Sequence, residues 1–291
     1  MTVQVTHSGE IEIAYETLGP DGGAPLMLIC GNDTQMIHWP DAFCAALMQR
    51  GFQVVRFDNR DTGRSSNCRE RPAYTLADMA DDAVAVLDAL GWPWAHLVGI
   101  SLGGMIGQVM AVHHPTRVRT LTSMSSAPAW SLRVSRPRFR TLLGVINVAR
   151  RSGNSREAAG ETWVRLLRLI GSPGYPFDED QARSVAMRAY DIAHDPTAAR
   201  RQQAAIKANG DRRTELGRVR IPTLVVHGEV DPMQSPRAGK ATADAIPGAR
   251  LVTYPGVGHD LVPEPLWPQL LDEIAALAAR ADAAGTTRTR T

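Results

Sequence analysis

Cysteine is scarce: the 291 residues hold three, Cys30, Cys44 and Cys68. The number is odd and the spacing matches no metal-ligand motif, which argues against a disulfide framework and against a structural zinc. No apolar run reaches the ~18 residues that a membrane span requires. The N-terminus, Met1-Thr2-Val3-Gln4-Val5-Thr6, lacks a basic segment leading into an apolar stretch, so no secretion signal is expected. These absences predict a cytoplasmic protein with no membrane among its partners. Lysine is almost missing too, at 2 residues against 30 arginines, which reads as the codon bias of a GC-rich genome.

Apolar residues make up 44% of the chain, ample for the core of one large α/β domain or two small ones. The net charge of +2 conceals an asymmetry. Residues 128–220 carry 18 Lys/Arg against 9 Asp/Glu, a balance of +9, and the remainder carries −7. The arginines there are spaced helically among Leu, Ile and Val and are not interleaved with aromatics. They read as a solvated helical face, and no nucleic-acid partner is expected.

Polar and apolar residues alternate from Gly9 to Leu18, as in a half-buried strand at an antiparallel edge. Leu26–Cys30 is a continuous apolar run that reads as a strand buried on both faces, and Gln53–Phe57, Ala95–Gly99 and Val118–Met124 read as further strands. Helical spacing separates them, at Phe43–Met48, at Leu76–Leu90 and from Leu102 to His114. In Leu76–Leu90 the aspartates Asp78, Asp81, Asp82 and Asp88 fall outside the apolar face. Strands alternating with helices imply right-handed crossovers and a mainly parallel sheet.

After Ser125 the pattern changes. From Arg136 to Lys207 only helical periodicity remains, with turns at Ser152-Gly153-Asn154, Gly171-Ser172-Pro173-Gly174 and Asp195-Pro196. Strands resume at Thr223–His227 and Arg250–Tyr254, with helices at Arg237–Ala245 and Leu266–Ala279. The expected organisation is a core of residues 1–127 and 221–281, a helical cap inserted at 128–220, and a flexible tail at 282–291.

Gly99-Ile100-Ser101-Leu102-Gly103 lies between a strand and a helix, the Gly-x-Ser-x-Gly pattern of a nucleophile elbow. A serine on that turn exposes its hydroxyl above the sheet, and the Leu102 amide at the helix start is free to bind an oxyanion. Serine needs a base, and the base needs a carboxylate to fix its tautomer. Asp231 follows the strand Thr223–His227, and His259 follows the last strand in Pro255-Gly256-Val257-Gly258-His259-Asp260. The order Ser, Asp, His is that of α/β hydrolases and differs from chymotrypsin-like and subtilisin-like orders. Glu229 is the second candidate for the carboxylate. Asp260 reads as a cap or a solvated residue, and His96, His113, His114 and His227 as structural, with His227 bordering the site.

A second oxyanion donor is expected in the loop after an earlier strand, where Cys30-Gly31-Asn32-Asp33 stands; the Asn32 amide is the candidate. The polar loop from Asp58 to Ser65 reads as an internal network bracing the site, since it lacks the glycine spacing and lysine of a phosphate loop.

Over nearly its whole length the chain resembles the α/β-hydrolase superfamily. Gly31-Asn32, His38-Trp39-Pro40-Asp41, the segment from Arg56 to Ser65 and Gly99 to Gly104 look most like the aclacinomycin methylesterase group. Those enzymes cleave a methyl ester from a polyketide-derived anthracycline in actinomycetes. The resemblance implies an α/β-hydrolase fold with about eight strands, the triad Ser101, Asp231 and His259, and the amides of Asn32 and Leu102 as oxyanion donors.

The reading is a serine carboxylic-ester hydrolase for a small-molecule ester, working without metal or organic cofactor, as a monomer or homodimer. Trp130 and Trp163 are the candidate substrate contacts, with Leu142, Ile146, Leu166, Leu167 and Met187 available to an apolar pocket. The same triad would serve a lactonase, a carbon–carbon hydrolase or a perhydrolase, and the scaffold also serves ligand-binding proteins.

Overall fold

Leu26, Leu28 and Cys30 point to one side of their strand and Met27 and Ile29 to the other, yet all five are buried. Period-two alternation with both sets covered requires helices on both faces of the sheet. The computed structural model, which describes residues 2–71, 73–131, 134, 138–151 and 153–288 (side chains to 284), has that arrangement. The strands are β1 (Gln4–Ser8), β2 (Ile11–Leu18), β3 (Ala24–Ile29), β4 (Phe52–Phe57), β5 (Ala95–Ile100), β6 (Val118–Met124), β7 (Thr223–Gly228) and β8 (Arg250–Tyr254). They form one sheet in the order β1-β2-β4-β3-β5-β6-β7-β8. β1 and β2 are antiparallel to their neighbours, and every pair from β4 to β8 is parallel.

The helices are α1 (Asp41–Met48), α2 (Leu76–Ala89), α3 (Leu102–His113), α4 (Phe139–Arg150), α5 (Arg156–Ile170), α6 (Glu179–Ile192), α7 (Ala198–Ala208), α8 (Arg213–Leu216), α9 (Pro236–Ala245) and α10 (Trp267–Arg288). One core cluster joins Met27, Ile29, Val55 and Phe57 to residues of α2, α3 and α9. The other joins Leu26, Leu28, Val54 and Val98 to α1 and α10. Helix α2 starts cleanly because Thr75 and Asp78 form a capping box, the Thr75 hydroxyl accepting from the Asp78 N–H.

Three expectations change. The alternating segment from Gly9 is not the edge strand: β1 pairs outside it, with its exposed residues carrying no periodic signal. Asp82 is not on a solvated face; it is 1% exposed and receives both Nε and Nη2 of Arg60, at 2.6 and 2.7 Å. Its charge is compensated by a partner from a distant loop, which helical spacing cannot reveal. The expected frayed tail begins as regular helix, since α10 continues to Arg288 and Arg119 Nε donates to Asp282 at 3.0 Å. Residues 289–291 of that tail, like Arg136 and Ser152 at the boundaries read in the helical stretch, lie outside the described residues.

Helices α4 to α8 lie between β6 and β7, and the two ends of the segment meet in a bridge between Ala129 and Asp211. The segment is tied to loops at the carboxyl ends of the strands. Gln35 Nε2 donates to the carbonyls of Ala189 and Ala193, at 2.8 and 3.2 Å. The Asp33 N–H donates to Gln202 Oε1, and Arg201 binds both carboxylate oxygens of Asp61. No helix among the described residues is long and apolar enough to cross a membrane.

Candidate active site

β5 ends at Ile100, α3 begins at Leu102, and Ser101 between them takes φ 53°, ψ −114°. A non-glycine residue there is strained, and the surroundings hold it. The Ser101 N–H donates to Met124 O at 2.8 Å, and the Ser126 hydroxyl donates to Ser101 O at 2.9 Å. The flanking glycines are required by space. A Cβ on Gly99 would lie 2.3 Å from Gly103 O, and one on Gly103 would lie 2.1 Å from Ile29 O. Only backbone fits where strand, helix and neighbouring strand converge.

The three residues singled out from the sequence meet above the sheet. His259 Nε2 is 3.0 Å from Ser101 Oγ, and His259 Nδ1 is 2.7 Å from Asp231 Oδ2. Asp231 is 2% exposed. Its Oδ1 accepts the N–H groups of Met233 and Gln234, both at 2.8 Å, so the turn after β7 is wrapped around the carboxylate. Burial opposes its charge, but His259 and His227 outweigh burial and hold the carboxyl well below the usual carboxylate range. Burial likewise opposes an imidazolium on His259. The adjacent Asp231, with a smaller contribution from Asp260, prevails and raises its pKa above the ordinary histidine value. That pairing fixes the tautomer with the proton on Nδ1, leaving Nε2 to accept from the serine.

His227 borders the site as expected. Its Nε2 lies 2.8 Å from Gln234 O and 3.5 Å from Asp231 Oδ2, behind the carboxylate. Glu229 is not a member: it is exposed and accepts from the Thr253 hydroxyl at 3.0 Å. The loop after β3 brings Gly31 against the elbow, a Cβ there falling 3.6 Å from Ser101 Cβ. Asn32 follows, and neither its N–H nor that of Leu102 has an acceptor among the described residues. The polar loop after β4 braces this loop: Asp58 Oδ1 accepts from the Met36 N–H at 2.7 Å, and Asn59 Nδ2 donates to Cys30 O at 3.1 Å.

Asp260 neither caps a helix nor faces solvent freely. The Ser172 hydroxyl, in the turn after α5, donates to Asp260 Oδ1 at 2.5 Å and accepts from the Gly258 N–H at 3.0 Å. Beside it the His259 N–H donates to Ile170 O at 2.7 Å. The segment carrying His259 is therefore held by the end of α5. Sequence reading missed Ser126 and Ser172; the Gly171–Gly174 turn signalled a loop but not its partner. The two tryptophans are not brought together. Trp163 packs edge-on against the His38 ring at 5.1 Å, whereas Trp130 is 49% exposed with the Lys207 ammonium over its ring. No described contact links either one to the triad.

The model of the alpha/beta hydrolase fold family matches residues 25–265. The chain belongs to the α/β-hydrolase family. This hydrolase is 34% identical over 288 residues to rhodomycin D methylesterase DnrP of Streptomyces peucetius, which covers 91% of this chain and 96% of that protein. It is 30% identical over 251 residues to a putative carbamate hydrolase RutD of Variovorax paradoxus, covering 84% and 88%. Among solved structures, a hydrolase from Pseudomonas aeruginosa superposes with a TM-score of 0.72 at 26% identity, over 94% of this chain and 97% of that one. The esterase RhEst1 from Rhodococcus shares the fold, with a TM-score of 0.77 at 22% identity over 96% and 99%. The likeness to the methylesterase group read from the motifs agrees with these relatives, and the hydrolase is a carboxylesterase-like enzyme.

Proposed function

We propose that this hydrolase cleaves a small to medium apolar carboxylic ester through an acyl-enzyme on Ser101, and that a methyl ester on a polyketide ring system is its substrate class. The 3.0 Å approach of His259 Nε2 to Ser101 Oγ is the observation that carries the mechanism. His259 takes the serine proton as Oγ attacks the ester carbonyl, and Asp231 stabilises the imidazolium. The carbonyl oxygen becomes an oxyanion, held by the N–H groups of Leu102 and Asn32. The tetrahedral adduct collapses, His259 gives its proton to the departing alcohol, and the acyl group remains on Ser101. Water, deprotonated by the same imidazole, then releases the acid. The substrate class rests on the DnrP likeness over 91% of the chain. Helices α4 to α8 serve as the cap that encloses the acyl group.

A fluorophosphonate probe tests the reading, with mass spectrometry locating the label and hydrolysis of p-nitrophenyl acetate followed in parallel. Label on Ser101 is expected, and Ser101→Ala should lower kcat on the order of 10⁶-fold. Turnover that survives Ser101→Ala would sink the mechanism. Release of methanol from an aromatic polyketide methyl ester, but not from short aliphatic methyl esters, tests the substrate class.

A further inference from the structure

Helix α4 packs against α5 with one face: Thr141 is buried and Gly144 lies against the side chain of Leu169. The opposite face is exposed among the described residues. Phe139 is 72% exposed, Leu143 49%, Ile146 42% and Leu142 41%. Their spacing of three, one and three residues puts them in one stripe along the helix. Apolar stripes of this kind on a soluble chain mark a surface that meets something.

The charge around the stripe selects the partner. Residues 128–156 contain seven arginines and no acidic residue. Arg138, Arg140, Arg150 and Arg151 sit on α4 or at its ends, and none has an ion-pair partner among the described residues. Farther along the segment between β6 and β7 acidic residues are interspersed and pair with some of the arginines, as Asp191 does with Arg156, Glu179 with Arg168, Glu161 with Arg183 and Asp61 with Arg201. A second copy docking through this face about a twofold axis would bring two sets of unpaired guanidinium groups together, which opposes association. An anionic lipid surface takes both features at once. Phenylalanine and leucine enter the acyl boundary, and arginines beside them reach the headgroups.

We propose that α4 is an interfacial anchor that docks this hydrolase on an anionic membrane surface. A long apolar run is required to span a membrane, whereas a helix lying in the interface needs none. The anchor is joined to the site: the Arg138 N–H donates to Pro232 O at 2.9 Å, one residue from Asp231. Docking would therefore hold the site beside a surface in which apolar esters accumulate.

Co-sedimentation of the full chain with vesicles tests the proposal, comparing phosphatidylglycerol–phosphatidylcholine mixtures with pure phosphatidylcholine. Binding to the anionic vesicles is expected, weaker on neutral ones and reduced by high salt. Phe139→Glu/Leu143→Glu should abolish it while the circular-dichroism melt stays at the parent value. One arginine near an anionic surface changes partitioning about fivefold, so Arg150→Gln/Arg151→Gln should lose more than about tenfold. No binding, or equal binding to neutral and anionic vesicles, overturns the proposal. A dimer in sedimentation velocity that Phe139→Glu/Leu143→Glu dissolves, without vesicle binding, also overturns it and assigns the face to a second copy.

Discussion

At Ser101 a left-handed backbone, which costs of order 1–3 kcal/mol, lifts a hydroxyl to within 3.0 Å of His259 Nε2. What that hydroxyl meets is decided by single charges. In the proposed mechanism the imidazole must be neutral to accept the serine proton, and Asp231 raises its pKa against the effect of burial. On acidification kcat/KM should fall through a pKa above the ordinary histidine value of about 6.5, as a pH–rate profile would record. Asp231→Asn removes the raising charge and leaves burial, which lowers the pKa. The acidic limb should move to lower pH while kcat drops about 10⁴-fold, because the wrong tautomer is then favoured. An unmoved limb in this variant would mean that another group sets it.

Single elements position these residues, and here reading the sequence had uneven success. The elbow was legible because its chemistry demands local signals: two glycines without room for a Cβ, a buried strand before and a helix after. The seat of His259 was not. Ser172 and Asp260 are 88 residues apart, and nothing in either segment announces the other. Ser172→Ala would leave the Gly258 N–H and one Asp260 oxygen without their partner, a loss of about 1.5–3 kcal/mol. Because those groups flank His259, kcat should fall with KM little changed, and steady-state kinetics beside a thermal melt would separate the two effects. A lower melting temperature with unchanged kcat would make the bond merely structural. Asp82 teaches a related lesson, since its helix spacing pointed outward, whereas Arg60, from the loop after β4, meets its carboxylate in the buried position.

Across the whole molecule, the helices between β6 and β7 are held over the sheet by polar contacts with loops at the strands' carboxyl ends. Arg201 is the densest of these. It binds both oxygens of Asp61 and one of Asp195, with Asp61 wholly buried and further held by the Tyr74 hydroxyl at 2.6 Å. Arg201→Gln strands a buried carboxylate, which typically costs about 3–5 kcal/mol. Urea denaturation should register the loss, and amide exchange should rise across α7 more than across β5 and β6. Uniform loss of protection would argue that α7 is no more separable from the sheet than its own strands. Acid works on the same contact. Asp195 is held below the usual carboxylate range by Arg201 and its neighbours despite burial, so its contribution is present above that range and fades as pH falls toward the lowered value.

Sequence by itself determined the strand and helix alternation, the elbow, and the order of serine, aspartate and histidine. Each of these rests on local spacing or on the direction of the chain through a parallel sheet. Tertiary structure alone decided the rest. It put β1 outside β2, turned Asp82 inward, tied Ser172 to Asp260, and separated Trp130 from Trp163. It also left the Phe139–Ile146 stripe exposed beside arginines that have no ion-pair partner among the described residues. Those outcomes depend on which distant residues arrive at the same place, and pairing of charges and burial of faces are properties of the folded neighbourhood that no run of residues contains.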